Sequence, residues 1–163
     1  MKHILKEEWL KIVLEQEERL LFGKFDREDV LALAESIIDL ARNQYGHVSI
    51  RVVYDNITTF YYLMEGTTLN NDWWMAKKLN VCMKTGASSL LSALEFEHGG
   101  KECPQWAEEE GNYALVGGCI PIRLKDGEIK GYAMVSALEH QMDHQLIADA
   151  MAGMLGINIP SIE

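Results

Sequence analysis

Cysteine is scarce in this chain and basic residues are outnumbered: 163 residues include 3 Cys, and 15 Lys plus Arg stand against 25 Asp plus Glu. Cys82, Cys103 and Cys119 are odd in number and far apart, which excludes a closed disulfide framework and any CxxC zinc or redox motif. A reducing cytoplasmic setting is the expected home. The formal net charge of -10, with lysines scattered among acids, argues against nucleic acid and anionic membrane surfaces, since both reward clustered Lys and Arg. No apolar run approaches the roughly 18 residues of a membrane span. The stretch from Met1 to Leu10 carries charges where a secretion signal needs an unbroken apolar segment. Glycine-rich phosphate and dinucleotide loops are missing, and so are internal repeats and low-complexity segments.

What is present is an ordinary globular balance, 48% hydrophobic and 25% charged, in a length that suits one domain over residues 1–163. Leu5, Trp9, Ile12 and Val13 recur at helical spacing, so residues 1–22 read as an N-terminal helical extension. Asp26, with Asp29 three residues on, marks the start of a second helix; its stripe of Val30, Leu33, Ala34, Ile37, Ile38 and Ala41 runs to Gly46. Residues 47–54 and 57–64 are rich in β-branched and aromatic side chains. They flank Asp55-Asn56, which tolerates the positive φ of a tight turn, and so predict an antiparallel hairpin.

Asn70, Asn71 and Asp72 offer capping oxygens to a helix over residues 73–84, and a further helix covers residues 88–96. Residues 103–111 read as a loop with one helical turn. Residues 113–124 and 129–138, joined by Lys125-Asp126-Gly127-Glu128, are nearly continuous apolar strands expected to be covered on both faces. Ile147, Ala150, Met151 and Met154 give a closing helix that stops at Gly156. Hairpins with helices grouped between them predict an α+β fold with a mostly antiparallel sheet, in a three-layer or profilin-like arrangement.

Several residues could carry chemistry. His140 and His144 have the spacing of half a metal site on one helical face, but that spacing equally suits a helix-capping turn with a solvated His140. Asp143 and His144 lie near a helix start, where exposed N–H groups favour anions and a histidine can exchange a proton; the alternative for His144 is a structural hydrogen bond. Gly117-Gly118 at a strand start either lets a ligand or backbone approach closely or serves tight packing. Cys119 reads as an inert small hydrophobe. Trp73, Trp74, Lys77, Lys78 and Asn80 form either an aromatic and basic patch for a flat carboxylated ligand, or a core Trp beside solvated lysines.

Three motifs taken together resemble one family: Trp74-x-x-x-Lys78-x-Asn80-Val81, Tyr113-x-x-x-Gly117-Gly118-x-x-Pro121-Ile122, and Gly131-x-x-x-Val135-Ser136-x-Leu138 followed by Asp143-His144. Over residues 20–156 the chain resembles the bacterial and fungal uncharacterised protein family 0303, related to GlcG-like haem-binding or haem-degrading domains. The resemblance implies a profilin-like α/β/α domain of about five strands with helices on both faces, assembled as a homo-oligomer. It implies haem or a related tetrapyrrole as the leading ligand, with Trp74, Lys78, Asn80, Gly117, Gly118, Ser136, Asp143 and His144 as its candidate contacts. A fungal relative is linked to a chaperone pathway, so an interaction or assembly protein without catalysis is an alternative. An enzyme using Asp143 and His144 as acid and base is another, although no nucleophile, metal set or cofactor loop accompanies them. Two departures fall at the candidate site: Ala137 stands where relatives often have Gly, and Glu139-His140 where they often have Pro-Gln.

Overall fold

The computed structural model describes residues 3–163. Five helices and five strands occupy them: α1 (Glu8–Arg19), β1 (Leu21–Phe22), α2 (Arg27–Leu40), β2 (Ser49–Tyr54), β3 (Ile57–Leu63), α3 (Leu69–Thr85), α4 (Ser89–His98), β4 (Cys119–Leu124), β5 (Ile129–Ser136) and α5 (His140–Leu155). The sheet runs in the order β1-β4-β5-β2-β3; every pairing is antiparallel except that of β1 with β4. Helices cover both faces of this α+β, profilin-like sheet. The stripe of α2 and the apolar side of α5 meet β2, β4 and β5 in a core centred on Leu33, Ile37, Ile50, Ile122 and Met151. On the opposite face α3 sends Met75, Leu79 and Cys82 onto Val53, Cys119 and Met134. A third cluster joins α1 to α4 and the C-terminal tail through Trp9, Val13, Leu90, Leu94 and Ile162.

Local chemistry explains the boundaries. Asp26 and Asp29 exchange side-chain and backbone bonds in a capping box at the start of α2. Asp55 and Asn56 take φ of 51° and 62°, the pair of left-handed residues a tight hairpin turn requires. Sequence expectation fails in five places. Residues 3–7 are not helical: the extension becomes a helix only at Glu8, and Met1 and Lys2 lie outside the described residues. The cap of α3 is Thr68, with Asn71 completing its box, so Asn70, Asn71 and Asp72 are already in the first turn. Residues 113–118 are irregular, and the strand begins only at Cys119. The two-residue β1 was not foreseen at all; so short a strand has no periodicity to read. Finally, α5 starts as early as His140, which is buried and not a solvated capping residue.

No described helix is long and apolar enough to cross a membrane.

Candidate functional site

The C-terminal end of β5 and the N-terminal ends of α3 and α5 converge on a hollow of about 240 Å³. Its lining includes Asn71, Trp74, Lys78, Ser136, His140 and Asp143. Lys78 comes from the inner side of α3 and is only 2% exposed. A buried ammonium needs full compensation. Lys78 Nζ donates to Asp143 Oδ2 at 3.0 Å and to the Val135 carbonyl at 3.0 Å. Asp143 Oδ1 in turn accepts the Leu138 N–H at 3.0 Å, and the Ala137 N–H also points to the carboxylate. Burial pushes the Asp143 carboxyl up to about 6, against the pull of Lys78 and these amides. The ion pair thus ties α3, β5 and α5 together around a turn in which Ala137 is held at a φ of 134°.

Gly117 and Gly118 make this packing feasible. A Cβ on Gly117 would lie 2.3 Å from the His140 carbonyl oxygen, and one on Gly118, at a φ of 126°, would lie 2.5 Å from Lys78 Nζ. Between the two readings of these glycines, the approaching groups are the chain's own backbone and Lys78.

Both histidines of the would-be metal pair are committed elsewhere. The Gly117 N–H donates to His140 Nδ1 at 2.9 Å, so Nε2 carries the proton and donates to the Ile4 carbonyl at 2.7 Å. Burial lowers this imidazole to about 4. His144 has no exposed surface and donates from Nε2 to Gln16 Oε1 at 2.7 Å. Gln16 passes the chain on to Gln145 and the Pro160 carbonyl. Burial holds His144 down at about 3, and its Nδ1 has no hydrogen-bond partner among the described residues. It does not line the hollow that Asp143 lines, which leaves the acid–base reading without its second member. No group of three His, Cys, Asp or Glu that could hold a metal ion occurs among the described residues.

Four of the sequence candidates, Trp74, Lys78, Ser136 and Asp143, therefore share one hollow, with Gly117 and Gly118 packed behind it and His144 sealed beneath. Asn80 is turned away and donates to the Asn112 carbonyl at 2.9 Å. The aromatic and basic patch on α3 does not form as a single surface, because the helix sends its members in different directions. Trp73 points to solvent, Lys78 points inward, and Lys77 lies 5.2 Å over the Trp74 ring.

The residue that sequence reasoning missed is His3. It lines the 240 Å³ hollow and two larger ones beside it. One of about 630 Å³ is walled by Trp9, His140 and Met142, and one of about 470 Å³ by Trp74, Lys77, Phe96 and Tyr113. The extended segment around it is clasped by two imidazoles, His140 on the Ile4 carbonyl and His98 on the Leu5 carbonyl at 2.6 Å. Its ring stands edge-on to Trp74 and to His140, with centroids 5.6 and 5.3 Å away. No periodicity or motif flags a histidine in an irregular segment.

Residues 25–152 match the sequence profile described as "Haem degrading protein HbpS-like". The chain belongs to this HbpS-like family. Curated relatives carry the name UPF0303 protein: one from Azotobacter vinelandii is 34% identical over 86% of this chain and 85% of its own length. Another, from Rhizobium rhizogenes, is 32% identical over 86% and 87%. Among solved structures the Ybr137w protein superposes with a TM-score of 0.78 at 19% identity, covering 95% of this chain and 98% of its own. A PduOC–heme complex superposes with a TM-score of 0.66 at 16% identity, covering 85% and 99%. These structural likenesses show the shared α+β fold.

Proposed function

We propose that the protein binds a flat, carboxylated small ligand of the tetrapyrrole class, with haem the leading one, at the adjacent hollows that His3 lines. One observation carries this reading. Of five histidines, His47, His98, His140 and His144 each have a ring nitrogen bonded to a backbone carbonyl or a glutamine, whereas His3 is exposed at the meeting point of three hollows. The family profile and the haem-bound neighbour PduOC support the same class of ligand.

The residues present fit such a group. The 240 Å³ hollow is smaller than the roughly 300–1,000 Å³ of ordinary small-molecule sites, but the 630 and 470 Å³ hollows fall inside that range. Trp9, Trp74 and Met142 offer apolar walls, while Lys6 and Lys77 would neutralise carboxylates of a bound group. His3 would offer an imidazole nitrogen to the group, and Lys78, Ser136 and Asp143 would hold its polar edge. Bound haem would bring redox and ligand-binding chemistry at iron. The chain's own contribution is to position the group, shield it from water and neutralise its carboxylates. We also propose that the protein is a homo-oligomer, as the family resemblance implies, and works in the cytosol, as its few scattered cysteines suggest. Haemin titration followed in the Soret region tests the ligand reading: a saturable shift is expected, weakened in His3→Ala and in Lys77→Glu. A titration that never saturates, or one that neither substitution alters, overturns it.

A further inference from the structure

The two edges of the sheet are finished differently. At one end the two-residue β1 pairs only with Arg123 and Leu124 of β4, and the rest of that edge, residues 119–122, is buried, with the Cys119 N–H on Ser89 Oγ and Pro121 lacking a donor. At the other end β3 offers seven residues, Ile-Thr-Thr-Phe-Tyr-Tyr-Leu, without a charge or a proline. Soluble proteins guard such an edge with charge, proline, a bulge or a cover, because an open one templates further strands. The bulge opposite Val52 and Val53 interrupts one end of it and leaves residues 60–63 in regular register.

The backbone of that stretch is free to pair. The Met64 N–H donates to the Val48 carbonyl, and the register sets Leu63 opposite Ser49 and Tyr61 opposite Arg51. Antiparallel alternation then turns the N–H and C=O of Tyr61 and Leu63 away from β2, toward solvent. Side chains agree with the backbone: Ile57, Tyr61, Tyr62, Leu69 and Trp73 are 54%, 47%, 41%, 62% and 57% exposed. Half of the ten exposed large hydrophobic residues among the described ones thus gather on β3 and the adjacent first turns of α3.

We infer that this face, the β3 edge with Leu69 and Trp73, is where two copies of the chain pair, β3 against β3 about a two-fold axis. This rests on the reading of the protein as a homo-oligomer and is independent of its ligand. Two arguments select a second copy as the occupant. An antiparallel edge is complementary to itself under a two-fold rotation, so the outward groups of Tyr61 and Leu63 in one copy meet their equivalents in the other. Charge points the same way. Each copy carries -10, so two copies repel across their acidic faces, while β3 itself is uncharged: Arg51 is bonded to Thr58, Asp72 to Tyr61, and the exposed Asp55 and Glu65 lie beyond its two ends. A basic partner would be drawn to the acidic surfaces instead.

Light scattering of the whole chain, with Tyr61→Lys/Trp73→Lys beside it, tests the interface. The expected result is a wild-type mass that is an even multiple of 18.5 kDa and falls at least twofold in the variant, with an unchanged circular dichroism spectrum. An oligomer of unchanged mass in the variant overturns this face but leaves the oligomeric reading intact; a wild-type monomer overturns both. Amide exchange in the unaltered protein decides the matter if the variant fails to fold. The Tyr61 and Leu63 amides are expected to be as protected as their β2-facing neighbours, and exchange at the rate of an open edge overturns the proposal.

Discussion

Replacing Ala137 with glycine is expected to stabilise the protein, although the substitution removes atoms and adds no contact. Ala137 sits at a φ of 134°, a region that L-residues with a Cβ avoid and glycine enters freely. Holding a non-glycine residue there costs on the order of 1–3 kcal/mol. The surrounding turn imposes it: the amides of Ala137 and Leu138 both aim at the Asp143 carboxylate, which Lys78 anchors from α3. The Ala137 side chain is exposed, so losing its methyl group gives up almost no burial. Against the relief stands the larger unfolded-state entropy of glycine, about 0.4–1 kcal/mol. The difference is a gain of about 0.5–2 kcal/mol, or a rise in Tm of about 2–6 °C for a chain of this size. Urea unfolding and calorimetry at pH 7 would measure it, with Ala76→Gly inside α3 as a control expected to lose about 1 kcal/mol. A neutral or destabilising Ala137→Gly would show that the turn is not strained and that the Asp143 cradle does not impose it.

The pH dependence has a definite sign. His140 and His144 are depressed from 6.5 to about 4 and about 3, so the stability they contribute is complete above 6.5 and drains away as the pH falls. At pH 5 each has cost about 2 kcal/mol. Asp143, raised from 3.8 to about 6, works the other way and has returned about 1.4 kcal/mol by then, with buried Glu17 acting in the same direction. Urea unfolding at pH 7 and pH 5 is expected to show a net loss that shrinks by about 2 kcal/mol in His144→Phe; an unchanged loss would contradict the buried neutral imidazole. Lys78→Met leaves a carboxylate buried without its cation and is expected to cost about 3–5 kcal/mol, with Asp143→Asn in the same chain restoring part of it. Simple additivity of the two substitutions in chemical unfolding would show that the pair is not coupled.

Much of the fold was legible because its signals are local. The stripe of α2, the box at Asp26 and the two turns at Asp55-Asn56 and Asp126-Gly127 are each encoded within a few residues. The motif residues around Trp74, Lys78, Ser136 and Asp143 were also legible, and the fold brings those four to one hollow. What the sequence hid depends on contacts between distant segments. Lys78 looks like a solvated lysine until Asp143, 65 positions away, is placed against it. His144 looks like a proton-exchanging group until Gln16, 128 positions away, closes over it. His3 has no local pattern, and its place is fixed only by the clasp of His98 and His140 on the carbonyls that follow it. The exposed β3 edge was invisible for the same reason, since strand order is a property of the whole sheet.

The central claim is that the adjacent hollows lined by His3 form a ligand site for a flat, carboxylated tetrapyrrole. Its most direct test is the absorption spectrum of the whole protein titrated with haemin, wild type against His3→Ala. The account predicts a saturable Soret shift in the wild type and a displaced, weaker one in the variant. Identical curves for the two proteins, or a wild-type spectrum that rises without saturating, would contradict it.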